Sequence, residues 1–477
     1  MTHITQYVDN NIPDADAWMD VTETALTNMT KLLTDIRTHC VNGSTDTLTS
    51  DDRQTILESL KAISEQVYAE GNADYAGKTV FTGYRTSSNL TFDADEIDTE
   101  YQITQKFNFE ALEEKRYYTG TVQVPEALTD TTQDCTTMIS ENTFERIRVA
   151  YNGDTELLNM SYSYTYTDAD GNEQEMKVSL GGETPLDGSI PMTDSEGNAI
   201  MGADGNQAQL HVFQSEALWE EAMGEKIVGD DDIIYIKNTG EFIFGKNIAN
   251  TISDKKADLQ VEYTKKSFQK GELRPEYYYD CIDITDDDAS KHVSYTKQDQ
   301  DINYTIASNT TLTINTQAED VFSTDILRDV NELIDIMKKA IAADSKVTKI
   351  KNMMNETQYS DEKSQAQLQT YLDIAKKELD YAEDNVQRTY EECIGRFDKY
   401  LEQVNISATN VGSMKNRLIM TQTRVENQQM TIEELKSSNE DRDISDIIID
   451  YYAAYNAYQA SLTAAGKLGQ GTLLNYL

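Results

Sequence analysis

Apolar residues in the last third of the chain repeat every seven positions. One series is Tyr390, Phe397, Val404, Val411, Leu418, Val425 and Ile432, and a second series interleaves with it from Leu372 to Met414. Two such series form the a and d positions of a coiled-coil seam. All five prolines lie at or before Pro275, so none interrupts this stretch. The pattern predicts a long C-terminal helix, preceded by a shorter helix from Asp325 to about Ala343 and by a turn between Asn355 and Lys363.

The first part of the chain has the same helical periodicity. An apolar stripe runs from Trp18 to Ile36 at three- and four-residue spacing and stops before Asn42-Gly43. Thr49 and Asp52 then have the spacing of a capping box, and the apolar positions that follow extend to Val67. Two helices joined by a turn are therefore predicted.

Between Asn89 and Asn315 the period changes to two. Segments 161–167 and 176–180 predict one β-hairpin, and segments 231–237 and 241–244 predict another. The predicted class is α+β, an elongated helical coiled-coil rod built from both chain ends with a β-rich insert. The expected domains are the N-terminal helices (1–88), a β-rich insert of one or two subdomains (89–322), and the C-terminal helices (323–477).

A last amphipathic helix is predicted near the C-terminus. Its stripe consists of Ile444, Ile448, Tyr451, Tyr455, Tyr458, Leu462 and Ala465. Such a stripe needs a partner, and the segment from Met1 to Asn11 offers too few apolar residues to cover it. We therefore expect the tail from Ile444 to Leu477 to be exposed, or only partly covered, in an isolated subunit and to be ordered by neighbouring subunits.

The charge of the chain excludes one class of partner. A formal charge of -43 arises from 84 acidic and 41 basic residues. Such a chain is repelled by the phosphates of nucleic acid, so nucleic acid is not expected as a partner. No apolar run of membrane-spanning length and no secretory signal occurs, which predicts no membrane insertion.

Candidate chemical motifs are weak. Gly71 to Thr79 resembles a P-loop, but five residues rather than four separate its glycines, and Gly71 is better interpreted as a helix cap. Asp168-Ala-Asp-Gly-Asn172 begins like a calcium loop, but its glycine is fourth rather than sixth, which favours a hairpin turn. The four histidines and four cysteines are scattered singly. We predict no catalytic residues, no cofactor, no metal site and no enzyme activity.

Both ends of the chain resemble a known family. Trp18-Met-Asp-Val-Thr-Glu-Thr-Ala-Leu26 and Val80-Phe-Thr-Gly83-Tyr-Arg85 are similar to the first helical segment of the flagellar hook-associated protein 3 family, the hook-filament junction proteins of the flagellin superfamily. Asn416-Arg417-Leu418 and Leu473-Leu-Asn-Tyr-Leu477 resemble the flagellin-type C-terminus. The Phe81-x-Gly83 element distinguishes the junction family from ordinary flagellin.

The middle of the chain adds to this resemblance. Lys270 to Cys281 and Asn315 to Phe322 look like elements of the family's long-insert members. The family's usual N-terminal helix has no counterpart, because Ile4-Thr-Gln-Tyr7 aligns with the interior of its pattern. We therefore expect a start that lacks this helix.

The resemblance implies a structural subunit of the bacterial flagellum that joins hook-associated proteins to the flagellin filament. Implied partners are further copies of the chain in a ring or helical layer, the first hook-associated protein, flagellin and a flagellar export chaperone. The implied location is extracellular, reached by the flagellar type III route without a cleaved signal.

Two sets of site residues follow. We define the seam as Trp18, Val404, Val411, Leu418, Val425 and Ile432. The C-terminal assembly helix comprises Ile448, Tyr455, Tyr458, Leu462, Leu473, Leu474 and Leu477. The alternatives are a flagellin-like filament subunit, or an adhesin-type binding module on a coiled-coil stalk, which exposed aromatic residues at Tyr277-Tyr-Tyr279 would permit.

Overall fold

The computed structural model describes residues 5–45, 48–129, 135, 138–167, 171–182, 184–440 and 443–470. Helices dominate the beginning and end of the chain and strands dominate its middle, which confirms the predicted α+β class. Two compact units are present: Met1–Ala17 with Asn303–Ile314 and Ser413–Leu477, and Trp18–Ile302 with Asn315–Gly412. The domain boundaries at 88 and 322 were placed where the sequence period changes, and they stay a prediction.

The α-helices of the described residues are α1 (Ile12–Gly43), α2 (Ser50–Ser64), α3 (Glu216–Met223), α4 (Lys246–Lys255), α5 (Thr324–Met354), α6 (Glu362–Glu440) and α7 (Ile444–Gln470). A π-helical turn (Tyr7–Asn11) precedes α1, and short 3-10 helices lie at Ala69–Asn72, Phe109–Ala111, Pro275–Tyr277, Ala289–Lys291, Ala318–Asp320 and Thr357–Tyr359. Helix α6 has 79 residues and is the long helix that the heptad pattern predicts.

Helix α2 begins at the predicted capping box. The amide of Asp52 donates to Thr49 Oγ1 at 3.2 Å, and the amide of Thr49 donates to the Asp52 carboxylate at 3.0 Å. The predicted end of this helix is wrong, because α2 stops at Ser64 and Val67 lies beyond it. Gly71 belongs to a buried 3-10 turn instead of capping the helix.

Helix α5 is longer than predicted. It continues past Ala343 to Met354 because Val347, Ile350 and Met353 maintain the buried stripe. These residues form a small core with the start of α6, which includes Leu368, Tyr371, Leu372 and Ala375. The predicted turn follows, with its 3-10 helix at Thr357–Tyr359.

The strands are β1 (Asp74–Tyr75), β2 (Lys78–Thr79), β3 (Glu96–Phe107), β4 (Glu113–Thr119), β5 (Ser140–Arg148), β6 (Asp154–Thr167), β7 (Glu173–Gly181), β8 (Gly188–Pro191), β9 (Gln209–Phe213), β10 (Ile233–Ile236), β11 (Glu241–Phe244), β12 (Asp258–Phe268), β13 (Asp280–Asp283), β14 (Val293–Tyr295), β15 (Asn303–Ala307) and β16 (Thr310–Thr313). They form two six-stranded sheets, β4-β5-β11-β10-β9-β8 and β14-β13-β3-β12-β6-β7, and two small hairpins, β1-β2 and β15-β16.

Both predicted hairpins are present. Strands β6 and β7 pair antiparallel, with Thr167 opposite Glu173, and β10 pairs antiparallel with β11. The turn residues 168–170 lie outside the described residues. In contrast to its neighbours in the sheet, β9 pairs with β10 in parallel, a connection that no local pattern predicts.

The β-rich middle block also contains two α-helices that were not predicted. It contains α3, which begins at the N-cap Ser215 and ends at Gly224 in the left-handed region, and α4, which buries Ile248 and Ile252. A Ser cap followed by a closing Gly, and apolar residues at four-residue spacing, are the signals that would have revealed these helices.

The two six-stranded sheets share one hydrophobic core. It includes Ile103, Leu157, Tyr263, Ile233 and Phe242 together with residues of α4. On the other face of the β10–β11 hairpin, Trp219 of α3 packs with Ile234, Ile236 and Ile243. Strand β10 is therefore buried on both faces, which explains why its sequence is continuously apolar and does not alternate.

Candidate functional site

The seam residues are mostly buried. Trp18, Val404, Val411, Leu418 and Val425 are each at most 2% exposed. Ile432 is only partly buried. The heptad spacing thus marks the packed face of α6 along most of its length, as a coiled-coil seam requires. Whether these residues have a role in assembly stays a prediction.

Close contact between α1 and α6 depends on one glycine. A Cβ atom at Gly43 would lie 2.0 Å from the ring of Tyr390, so only glycine permits this approach. The Tyr390 hydroxyl in turn donates to the carbonyl oxygen of Leu333 on α5 at 3.1 Å. An ion pair between Arg37 and Asp398 adds a second link between α1 and α6. Three helices are therefore held together around Tyr390.

Helix α7 presents its apolar residues to solvent. Ile448, Tyr455, Tyr458 and Leu462 are between 45% and 59% exposed. The exposure agrees with the expectation for an isolated subunit. Leu473, Leu474 and Leu477 lie outside the described residues. The assembly role of this helix stays a prediction.

A buried ion cluster joins one sheet to α5. Strand β5 contributes Arg146 and Arg148, whose side chains are 1% and 5% exposed. Arg146 Nη2 lies 2.6 Å from Glu332 Oε2 and its Nη1 pairs with Glu241 on β11. Arg148 Nη2 lies 2.7 Å from Asp329 Oδ1. Two strands and α5 are thus connected by charge-assisted hydrogen bonds.

The cluster extends to β4 and α6. Lys115 Nζ of β4 lies 2.8 Å from Glu241 Oε1 and 3.3 Å from Glu332 Oε1. From α6, Arg396 Nη1 donates to Asp329 Oδ1 at 2.9 Å, and Tyr400 Oη donates to Asp329 Oδ2 at 2.8 Å. Asp329 therefore binds groups from β5 and α6 at once.

The electrostatics keep these carboxylates charged. Burial by itself would raise the pKa of Asp329, but Arg148 and Arg396 lower it further than burial raises it, so the pKa lies below its ordinary 3.8. Burial opposes Arg146, Lys115 and Arg148 in the same way at Glu332, whose pKa is held well below its usual range. A charged cluster of this kind fixes the sheet against the helices.

None of the residues of this ion cluster was predicted as a site residue. A usable signal exists in the strands, because Arg146 and Arg148 flank the buried Ile147 on a strand that enters the core. Asp329 likewise falls within the buried stripe of α5. Charged residues at core positions indicate buried pairing, but their partners come from distant parts of the chain.

The elements that resembled long-insert junction proteins meet where α5 begins. The ring of Phe81 packs edge to face on Phe322, with centroids 5.0 Å apart. Tyr279 Oη lies 2.9 Å from Thr324 Oγ1. The Tyr68 hydroxyl donates to the carbonyl oxygen of Ser323 at 2.7 Å. These contacts join the helical start of the chain, the insert and α5.

The tyrosine triplet is not an exposed platform. Tyr278 is buried, and Tyr277 and Tyr279 are partly buried. The prediction that these tyrosines are exposed, which the adhesin alternative required, is therefore wrong. The P-loop resemblance fails as well, because residues 74–79 form the β1-β2 hairpin.

The described residues contain neither a cluster of metal ligands nor a membrane-spanning helix. Among them, no three or more His, Cys, Asp or Glu side chains are grouped so that they could hold a metal ion. In the same part of the chain, no helix combines the length and apolar character needed to cross a bilayer.

Residues 1–86 match the family model of the bacterial flagellin N-terminal helical region. Among solved structures, flagellar hook associated protein-3 from Legionella pneumophila is 10% identical, with 92% of this chain and 97% of that chain covered and a TM-score of 0.31. FlgL from Xanthomonas campestris is 10% identical, with 92% and 98% covered and a TM-score of 0.30. FliC from Burkholderia pseudomallei is 11% identical, with 83% and 99% covered and a TM-score of 0.17. No curated protein matches the chain.

The family match covers the first 86 residues and agrees with the resemblance to the flagellin superfamily that the N-terminal residues showed.

Proposed function

We propose that this protein is a structural subunit of the flagellar hook-filament junction, which joins hook-associated proteins to the flagellin filament. The observation that carries the proposal is the match of residues 1–86 to the flagellin N-terminal region. The Phe81-x-Gly83 element favours a junction protein over a filament subunit. In the structure this element shapes the start of the insert, because Phe81 packs on Phe322 and Gly83 has a φ of +58°.

The role we propose is mechanical and involves no chemical reaction. The packed seam makes the helices stiff, and exposed apolar residues of α7 offer a surface to further copies of the chain, to the first hook-associated protein and to flagellin. A ring or helical layer would bury this surface. Before export by the flagellar type III route, an export chaperone would cover it, since large exposed apolar patches are uncommon on soluble monomers.

Localisation tests the proposal. An epitope tag inserted in the exposed turn at Asp204-Gly-Asn206 leaves the seam and α7 intact. Immunogold electron microscopy of tagged cells should then label one position per flagellum, at the boundary between hook and filament. Label along the whole filament would instead establish a filament subunit and contradict the junction role.

A second arm addresses the adhesin alternative. The full chain is applied to a glycan array, and an unrelated protein of the same net charge is the control. We expect no saturable binding. Specific glycan binding, together with label that is absent from flagella, would overturn the proposed function.

A further inference from the structure

In the described part of the chain, the buried Arg328 has no ion-pair partner. It lies on α5 next to Asp329 and is only 8% exposed. Its Nη2 donates to the carbonyl oxygen of Thr239 at 2.5 Å. Among the described residues, its Nη1 has no hydrogen-bond partner and no carboxylate pairs with it within 4.0 Å. A guanidinium stays protonated in proteins, and an unsatisfied buried charge is costly. The site therefore favours an acceptor.

The surroundings of Arg328 supply both space and further donors. Arg328 lines two neighbouring cavities of 340 and 970 Å³, and Asn152 and Asn331 also line both of them. Thr239 lines the smaller cavity, and its buried Oγ1 has no hydrogen-bond partner within the part of the chain that the structure describes. Residues with a guanidinium, a hydroxyl and two amides thus line the smaller cavity together.

Charges near Arg328 limit where an anion would be stable. Burial and the neighbouring Arg148 lower the pKa of Arg328, and the carboxylates of Glu241 and Asp325 only partly oppose this effect. Lys265, 4% exposed, lines the larger cavity, and its Nζ donates to the carbonyl oxygens of Lys266 and Ser267. Acidic residues line both cavities: the larger one includes Asp93, Asp95, Asp154 and Glu272, and the smaller one includes Glu216, Glu220, Glu241, Glu332, Asp335 and Glu378. An anion is therefore favoured at Arg328 itself and not throughout either cavity.

We propose that the cleft at Arg328 binds a small oxyanion, of carboxylate or phosphate type, whose oxygens accept hydrogen bonds from Arg328 Nη1 and Thr239 Oγ1. The planar fork of arginine matches the spacing of oxygens in both groups. Asn152 and Asn331 would add amide donors. The residues that line the two cavities include none of the seam and none of α7, so the site does not depend on the junction role.

Thermal unfolding of the full chain tests the site. Sodium acetate and sodium phosphate are each titrated at constant pH and ionic strength, with sodium chloride as reference. At least one anion should raise the melting temperature saturably above the chloride reference, because a ligand that binds only the folded state stabilises it. The acetate and phosphate series distinguish a carboxylate site from a phosphate site.

Variants assign the effect to the site. Arg328→Gln should weaken the affinity about tenfold or more, since it removes a charged donor, and Thr239→Val should weaken it less. Arg388→Gln, on the exposed side of α6, is the matched control and should bind as the parent does. If circular dichroism shows that Arg328→Gln is unfolded, Arg328→Lys replaces it, because it keeps the charge and loses the fork. The proposal is overturned if neither anion shifts the parent saturably, or if the folded Arg328 variant keeps the parent's affinity.

Discussion

Asp329 is a carboxylate that three side chains share. Arg148, Arg396 and Tyr400 all lie within hydrogen-bond distance of it, and its side chain is fully buried. Burying a charge is costly unless pairing is complete. At this residue the pairing is complete, and it brings together groups that lie up to 252 positions apart in the chain, as the separation 400 − 148 shows. Such a residue specifies one arrangement of strand and helices.

Replacing Asp329 should destabilise the protein strongly. Asp329→Ala leaves two buried arginines without their shared partner, which should lower the free energy of unfolding by about 3–5 kcal/mol. Urea denaturation followed by circular dichroism measures the change. The matched control is Asp335→Ala on the same helix, where the side chain is 67% exposed and, among the described residues, pairs with Lys338 alone, so its effect should stay within about 1 kcal/mol. Equal effects of the two substitutions would contradict the structure.

The contribution of Asp329 to the free energy of unfolding should decrease at acidic pH. Its pKa in the folded protein lies below the ordinary 3.8 because of Arg148 and Arg396. The stability that it contributes is therefore present above 3.8 and is lost as the pH falls through the folded-state pKa. The difference in unfolding free energy between the parent and Asp329→Asn should be constant above about pH 5 and should shrink below 3.8. Buried acids with raised pKa values, such as Glu272, make the protein more stable as the pH falls. Because both the parent and the variant contain them, their contribution cancels in the difference. A difference that stays constant or grows down to about pH 3 would contradict this assignment.

At the scale of the single element, adjacent residues of α6 provide a matched test of the seam. Leu418 is 1% exposed and Ile419 is 51% exposed. Leu418→Asp places an unpaired charge in a packed interface and should cost several kcal/mol, about 3–5. Ile419→Asp should change stability by about 0.5 kcal/mol or less. Thermal melts of both variants measure the contrast, and a Leu418→Asp protein that melts like the parent would show that this position is not in a packed seam.

The start of α2 offers a smaller, local test. Thr49→Ala removes the hydroxyl that accepts from the Asp52 amide, and loss of such a cap costs about 1 kcal/mol. Thr55→Ala on the same helix is the control, because its hydroxyl only donates to the carbonyl oxygen of Asp51 one turn back. Chemical denaturation should show the larger loss at Thr49. The reverse order would mean that the cap does not stabilise the helix.

Local pattern predicted most helices and hairpins, and the reason is physical. The heptads of α6, the capping box at Thr49 and the alternation in β6 and β7 are each set by residues close in sequence. The parallel β9–β10 pairing depends on contacts across the fold. So does the ion cluster, in which Lys115 of β4 meets Glu332 of α5. The strand that contains Arg146 was not predicted, and no local pattern indicates which carboxylate Arg146 meets.

At the scale of the whole molecule, the domain boundaries at 88 and 322 remain our proposal. The insert is not tethered only at these joins, because Arg146 and Arg148 bind α5 and Arg116 binds Asp384 of α6. Helices and sheet therefore share buried charges in addition to the chain connections. Strands that are fixed in this way can transmit load between the insert and the helices, as a mechanical subunit would need.

Helix α7 leads to the last prediction, which concerns the difference between the isolated and the assembled protein. Every side chain described from 443 to 468 is exposed, including Tyr451, Tyr455 and Leu462. Most helical stability in proteins comes from packing of an apolar face, and segments with few packed contacts open readily. In a dilute sample that sedimentation shows to be monomeric, the amides of α7 should exchange hydrogen quickly, while those near Val411, which is fully buried in α6, exchange slowly. Under conditions that promote self-association, exchange in α7 should slow.

The double variant Tyr455→Ser with Leu462→Ser should melt as the parent monomer does but associate less, because both side chains touch solvent until a partner covers them. Slow exchange from Ile444 to Leu468 in the verified monomer would show that α7 already has an intramolecular partner, and its proposed role in assembly would then be lost.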